Sequence, residues 1–210
     1  GQCVRVITCD ADVAEGAKWL AQQDARWAKV MSECAPLPLR LREDGFAQLL
    51  SAIVSQQVST ASAAAIWDRM VEAGYHNPTF IAVAREEELK SVGLSRQKIR
   101  YAKALVDAGI DFRALRDRPT SDVIDILTAV PGIGSWTAEI YAMFSLGRAD
   151  VFAPGDLALQ EAARDLFELP KRPSEKELRA LAQDWSPWQS VAARALWAYY
   201  RVIKNREGIR

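Results

Sequence analysis

The sequence predicts an all-α fold, and three observations carry that expectation. Apolar residues recur at helical spacing in almost every segment, and caps and glycine stops punctuate the chain at short intervals. Only "CVRVIT" near the start alternates in the manner of a strand. Together they mark off roughly ten helices with brief connections, without a repeat, a low-complexity stretch or a long linker.

In chain order, Phe46, Leu49, Leu50, Ile53 and Val54 form a buried helical stripe. Ser59 or Thr60 caps the next helix, which carries Ile66, Trp67 and Met70 and closes at Gly74. "NPTFIAVAREEELKSVG" reads as two short helices ending at Gly93. "SRQKIRYAKALVDAG" reads as one helix with Ser95 as cap and Gly109 as stop. "TSDVIDILTAV" is a short helix ended by Pro131, and a further helix runs from Gly134 to Leu146. Three more follow Asp156, Pro173 and Ser186, with Pro187 suited to the first turn of the last.

Composition narrows the function classes. The chain has 210 residues, 50% hydrophobic and 26% charged, enough for one large domain or two small lobes sharing a core. No apolar run approaches the roughly 20 residues that span a bilayer, and the first residues lack the order of a signal peptide. Cys3, Cys9 and Cys34 match neither a disulfide framework nor a zinc or iron–sulfur spacing, so they are expected to be reduced cytosolic thiols. The one histidine, His76, lies in the turn "GYHNP" and reads as a solvated loop residue, which leaves a histidine-centred zinc site or Ser/His/Asp triad poorly supported.

Net charge is zero, with 27 basic and 27 acidic residues, which argues against nucleic-acid binding. Between Ser95 and Arg118, however, Arg96, Lys98, Arg100, Lys103, Arg113, Arg116 and Arg118 outnumber Asp107, Asp111 and Asp117. On charge alone this stretch reads first as a solvated helix face.

The informative segment is "ILTAVPGIGSWTAEIYAMF". One helix runs to about Thr128, "VPGIG" turns the chain, and a second helix starts near Ser135. Gly132 and Gly134 permit positive φ and close approach of another backbone. The amides of Gly134, Ser135 and Trp136 then face outward at a helix start, where the dipole favours an anion such as a phosphodiester. A plain glycine turn between packed helices fits the same residues. Asp156, after "VFAPG", is a helix N-cap by position. A carboxylate held there over a cleft would also stabilise cationic character in a transition state. Seven tryptophans supply core and, in part, walls for something flat.

On these residues the chain resembles the helix-hairpin-helix DNA glycosylase superfamily, through "LTAVPGIGSWTAEIYAMFSLGRADVFAPGDLALQ". "AIVSQQVSTASAAAIW", "VGLSRQKIRYAKALVDA" and "WSPWQSVAARALWAYY" resemble its 3-methyladenine DNA glycosylase II branch. The resemblance covers about Gly45 to Tyr200. It implies two helical lobes, 43–150 with the helix-hairpin-helix at about 120–146, and 1–42 plus 151–210, with the active site in the cleft between them. It implies Asp156 as the catalytic aspartate, and Pro131, Gly132, Ile133, Gly134 and Ser135 as the phosphate-backbone anchor. Gln57 matches the side chain that fills the gap left by an extruded base. Trp136, Trp197 and Ile140 match base-pocket positions. In relatives, main-chain carbonyls at the positions of Thr128, Val130 and Ile133 hold a monovalent cation; no cofactor is otherwise required.

Departures from the family pattern are equally specific. Relatives that also cleave the backbone place a Lys where this chain has Trp136, so a monofunctional enzyme using water is implied. No cysteine follows Cys34 to form the iron–sulfur loop of some branches. Ile140 stands where some relatives have tyrosine, so the substrate range does not carry over.

The expected activity is therefore excision of alkylated purines, of the 3-methyladenine and 7-methylguanine type, from double-stranded DNA by a monomeric base-excision-repair enzyme. It would act in the bacterial cytoplasm or, in a eukaryote, the nucleus, without a membrane partner. Two other readings stay open: a non-catalytic helix-hairpin-helix DNA-binding module, and a glycosylase for a neutral deaminated base. A purely structural helical protein is more remote.

Overall fold

The computed structural model describes residues 4–208. Two compact units emerge. One is Arg42–Tyr141; the other joins the chain up to Leu41 with the chain from Ala142 onward. Among the described residues there are thirteen α-helices and no strand. The surplus over the sequence expectation comes from α1 (Asp10–Gln23) and α2 (Ala25–Cys34), parted only by Asp24, and from the four-residue α8 (Phe112–Leu115). The strand-like alternation near the start yields one antiparallel bridge, Val6 with Arg148; Cys3 lies outside the described residues.

The unit Arg42–Tyr141 contains α3 (Phe46–Val54), α4 (Thr60–Glu72), α5 (Pro78–Val83), α6 (Glu86–Ser91), α7 (Arg96–Asp107), α8, α9 (Thr120–Thr128) and α10 (Ser135–Ile140). α7 is its hub and packs against α3, α5 and α6. Its Ile99, Ala102 and Leu105 are buried, as are Leu49, Leu50, Ile53 and Val54 of α3. Removing one such Leu or Ile side chain from water contributes roughly 1.5–3 kcal/mol. The caps do what their residue types suggest: Ser59 accepts the Ser62 N–H at 3.1 Å and Ser95 that of Lys98 at 3.2 Å. α9 and α10 pack together across the turn that joins them. The helix expected from Gly134 to Leu146 is not uniform: it is α-helical to Ile140 and continues as a π-helical turn, Tyr141–Ser145.

The other unit is built on α13 (Gln189–Arg206), which packs against α1, α2 and α11 (Leu157–Leu166). Every residue from Gln189 to Leu196 is buried, so this half of the helix is enclosed and shows no polar face. α1 approaches it closely at Gly16, where a β-carbon would lie 2.6 Å from the Trp188 ring. Trp27, Phe152, Phe167 and Trp185 form an aromatic cluster with centroids 5.2–5.8 Å apart. Truncating the fully buried Trp27 would cost about 3–5 kcal/mol. Pro187 does not open the last helix; Trp188 is the cap residue and the helix begins at Gln189. Among the described residues no helix is long and apolar enough to cross a membrane.

Candidate active site and nucleic-acid anchor

The hairpin is constructed from main chain. α9 ends at Thr128, the Val130 carbonyl accepts the Ile133 N–H at 3.1 Å, and α10 starts after Gly134. Gly132 has φ +94°, a conformation that L side chains rarely adopt. A β-carbon there would also lie 2.5 Å from the Tyr101 ring, so glycine is required twice over. Gly134 is different: its φ is −88° and nothing lies within 4 Å of where a β-carbon would stand. It leaves the start of α10 without a side-chain cap, which favours an anionic guest at the amides that follow. Ile133 is buried and anchors the loop, whereas Pro131, Gly134, Ser135 and Trp136 are exposed. Trp136, 47% exposed, presents a flat apolar surface; Ile140, one turn on, is half-buried.

Gln57 lies on the loop between α3 and α4, exposed and with φ +59°. That value is uncommon outside glycine, asparagine and aspartate and persists only where surrounding contacts impose it. The contacts are visible. The Lys98 ammonium, almost fully buried, donates to the Val54 carbonyl at the end of α3 at 2.6 Å; burial pushes the pKa of this amine down. Gln56 donates from Nε2 to the Gly132 carbonyl at 2.9 Å. This bond, between residues 76 positions apart in the chain, was not legible in sequence, where Gln56 is one of two adjacent glutamines. After the hairpin, the Tyr141 hydroxyl accepts the Gly45 N–H at 2.7 Å. Burial pushes its pKa up to about 12, against the opposing pull of that hydrogen bond.

The basic segment is largely a solvated face, with its exposed arginines in part paired to carboxylates. Arg96 pairs with Glu86 at 3.3 Å, Arg116 with Asp44 at 2.7 Å and Arg118 with Asp122 at 3.7 Å. Lys103 Nζ caps α5 by donating to the carbonyls of Ile81 and Ala84, at 2.7 and 2.6 Å. Local charge excess therefore does not equate to an open cationic face.

The Asp156 loop is held by side chains. Asp156 caps α11, its Oδ1 accepting the Leu159 N–H at 3.0 Å and the Trp197 indole N–H at 3.3 Å. Gln160, buried on α11, reaches back and donates to the Pro154 carbonyl at 2.8 Å. Asp156 N–H itself donates to the Ala153 carbonyl at 3.0 Å. Trp197 stacks at a tilt on Phe144, with centroids 5.8 Å apart. The Arg194 guanidinium lies 4.9 Å from the Phe144 ring centre and donates to the Leu39 carbonyl at 2.9 Å. Burial pushes its pKa down to about 10, still a cation at neutral pH. The structure thus brings Asp156 and Trp197 together and gives Trp197 an interaction its expected stacking role did not include. Gln160 is a second residue that sequence reading passed over; its only local signal is a polar side chain on the apolar face of α11. His76 is exposed, and Cys9 and Cys34 are free.

Comparison with known proteins adds independent evidence. Residues 50–187 match the family model described as HhH-GPD superfamily base excision DNA repair protein. DNA-3-methyladenine glycosylase 1 of Schizosaccharomyces pombe is 28% identical over 91% of this chain and 89% of its own length. The Putative DNA-3-methyladenine glycosylase YfjP of Bacillus subtilis is 26% identical over 80% of this chain, which spans 63% of that protein. Among solved structures, a DNA-3-methyladenine glycosidase from Bacillus halodurans superposes with TM-score 0.82 at 30% identity, covering 96% of this chain and 94% of that one. The 3-methyladenine DNA glycosylase Mag1 of S. pombe, solved in complex with abasic DNA, superposes with TM-score 0.74 at 27% identity, covering 87% of this chain and 95% of that one.

Proposed function

This chain belongs to the HhH-GPD superfamily of base excision DNA repair proteins, and from that premise we propose that it is a monofunctional DNA glycosylase for alkylated purines in double-stranded DNA. The observation that carries the reading is Asp156, a carboxylate held at the start of α11 by the Leu159 amide and the Trp197 indole. A helix cap alone has no need of the Trp197 indole as a second donor to that carboxylate.

Alkylation at N3 of adenine or N7 of guanine leaves the purine cationic, so the base departs readily and a strong general acid is unnecessary. The C1′–N bond breaks with its electron pair leaving on the now neutral purine. The sugar acquires oxocarbenium character, which Asp156 stabilises electrostatically. Water adds to C1′ and loses a proton to Asp156 or solvent, leaving an abasic site. Extrusion of the nucleotide costs a few kcal/mol, least where the base is damaged. Gln57 fills the gap, and the hairpin Pro131–Ser135 grips the phosphate backbone. Trp136 and Trp197, with Ile140, contact the extruded base, and cation–π attraction favours an alkylated one by about 0.5–2 kcal/mol.

Trp136 occupies the position of the lyase amine in backbone-cleaving relatives, which supports water as nucleophile. A neutral deaminated base would need donors and acceptors at its edge, and the aromatic and aliphatic side chains at the positions the resemblance assigns to the base favour the cationic substrate instead. The resemblance assigns a monovalent cation to the carbonyls of Thr128, Val130 and Ile133, hard oxygen donors at one turn, of which the Val130 carbonyl also accepts the Ile133 N–H. Bound there, such an ion would add positive charge for a phosphate. The protein is read as a monomer.

The test is release of 3-methyladenine and 7-methylguanine from methylated duplex DNA, followed by chromatography, with borohydride trapping alongside. Free purines without strand cleavage or a trapped adduct are expected. Binding without release would leave the hairpin as a DNA clamp.

A further inference from the structure

We propose that Gln56 is a positioning residue that holds the gap-filling Gln57 in register with the phosphate-gripping hairpin; the proposal rests on the glycosylase reading above. Extrusion succeeds only if the nucleotide whose backbone is gripped is the one whose place in the stack is filled. That requires a fixed offset between two loops distant in sequence. The Gln56 side chain links them directly: its Nε2 donates to the Gly132 carbonyl at 2.9 Å. Gly132 holds the left-handed backbone of the hairpin, at φ +94°, and packs against Tyr101. Tyr101 is in turn held by Gln97, whose Nε2 donates to its hydroxyl at 2.8 Å.

At the other end of the link is Gln57, at φ +59°, a conformation that relaxes unless its neighbours hold it. Lys98 secures the chain just before, at Val54, and the Ser59 cap secures it just after. Between those points Gln56 supplies the tertiary tie. Gln56, Gln57, Gln97, Lys98 and Tyr101 all line one cavity of about 220 Å³. The loop beside Gln57 is therefore not packed tight, and Gln57 has room to shift if the tie is cut.

Gln56→Met keeps the length and removes the donor; Gln56→Glu keeps the shape, puts an acceptor against the Gly132 carbonyl, and serves where Met perturbs folding. Single-turnover base release is measured for wild type, Gln56→Met, Gln57→Ala and the double variant. Each is tested on methylated duplex and on the same lesion in single-stranded DNA, with thermal melting as the folding control. Loss of one such hydrogen bond predicts release from duplex slowed by about three- to tenfold. No further loss is expected in the Gln57→Ala background, and none on single strands, where there is no gap to fill. A merely structural role would lower both substrates alike. Wild-type rates for Gln56→Met on duplex, or losses that multiply in the double variant, overturn the proposal while leaving the glycosylase reading intact. No release by wild type from either substrate overturns both.

Discussion

Two turns of this molecule are built from nearly the same letters and do opposite things. "VPGIG" leads into α10 and "APGD" into α11; each breaks a run with Pro-Gly and opens a helix. The first ends on Gly134, which carries no side chain to satisfy the amides behind it. The second ends on Asp156, whose Oδ1 takes the Leu159 N–H at 3.0 Å. An uncapped helix start attracts an anion, whereas a carboxylate-capped one presents negative charge to a cation. One residue at the cap therefore separates a turn suited to an anion from a turn suited to a cation. The supports differ as well. The hairpin is shaped by glycine, main-chain bonds and a tie from Gln56, and the Asp156 loop by Gln160 and Trp197.

The largest expected effect comes from removing the charge that distinguishes the second turn. Asp156→Asn keeps a capping oxygen, so melting temperature and DNA affinity should hardly change. Single-turnover base release should fall about 100- to 1000-fold. A variant within a few-fold of wild type would reduce Asp156 to an ordinary cap. Making the first turn resemble the second comes next. Gly134→Asp has room for its side chain and an extended backbone suited to a cap. Stability should rise by a few tenths of a kcal/mol, while affinity for duplex DNA falls by about tenfold or more. Equal affinity would remove the phosphate from this turn.

Trp197→Phe tests the support of the second turn alone. The ring remains against Phe144 and only the indole N–H is lost. Base release slowed by about three- to tenfold, with affinity for abasic DNA kept, is the expected result. An unchanged rate would show that the Leu159 amide alone holds the carboxylate well enough.

The smallest effect lies at alkaline pH, behind the first turn. Because burial raises the Tyr141 pKa from 10 to about 12, folding favours the neutral phenol. Its stabilisation is whole below pH 10 and is lost as pH rises from 10 toward 12, by roughly 2–3 kcal/mol in all. Urea unfolding between pH 9 and 12 should show that fall in wild type. Tyr141→Phe should lack this component, starting from a lower value because Gly45 loses its acceptor.

How much of this was legible in the sequence depends on the range of the interaction. Helical stripes, Ser59, Ser95 and Asp156 as caps, and Gly132 as a forced turn are decided within a few residues, so residue type and spacing state them. The same local rules misjudge what depends on neighbours. The basic run Arg96–Arg118 reads as a solvated face, and its arginines are exposed, yet Lys98 is drawn in to the end of α3 and Lys103 to the end of α5. Pro187 reads as a first-turn proline but precedes the cap. The family resemblance nominated Asp156, Gln57 and Trp197 by their place in a pattern, without the contacts they make.

By itself, then, the sequence determined the helical class, the glycine hairpin and the aspartate cap, because each follows from backbone sterics and hydrogen bonds closed inside one turn. Only the tertiary structure decided that Trp197 donates to Asp156 across 41 residues, that Gln56 ties its loop to Gly132 across 76, and that Gln160 pins Pro154. Those bonds form between atoms that packing of buried surfaces brings within 3.5 Å, and no short-range pattern encodes which distant surfaces will meet.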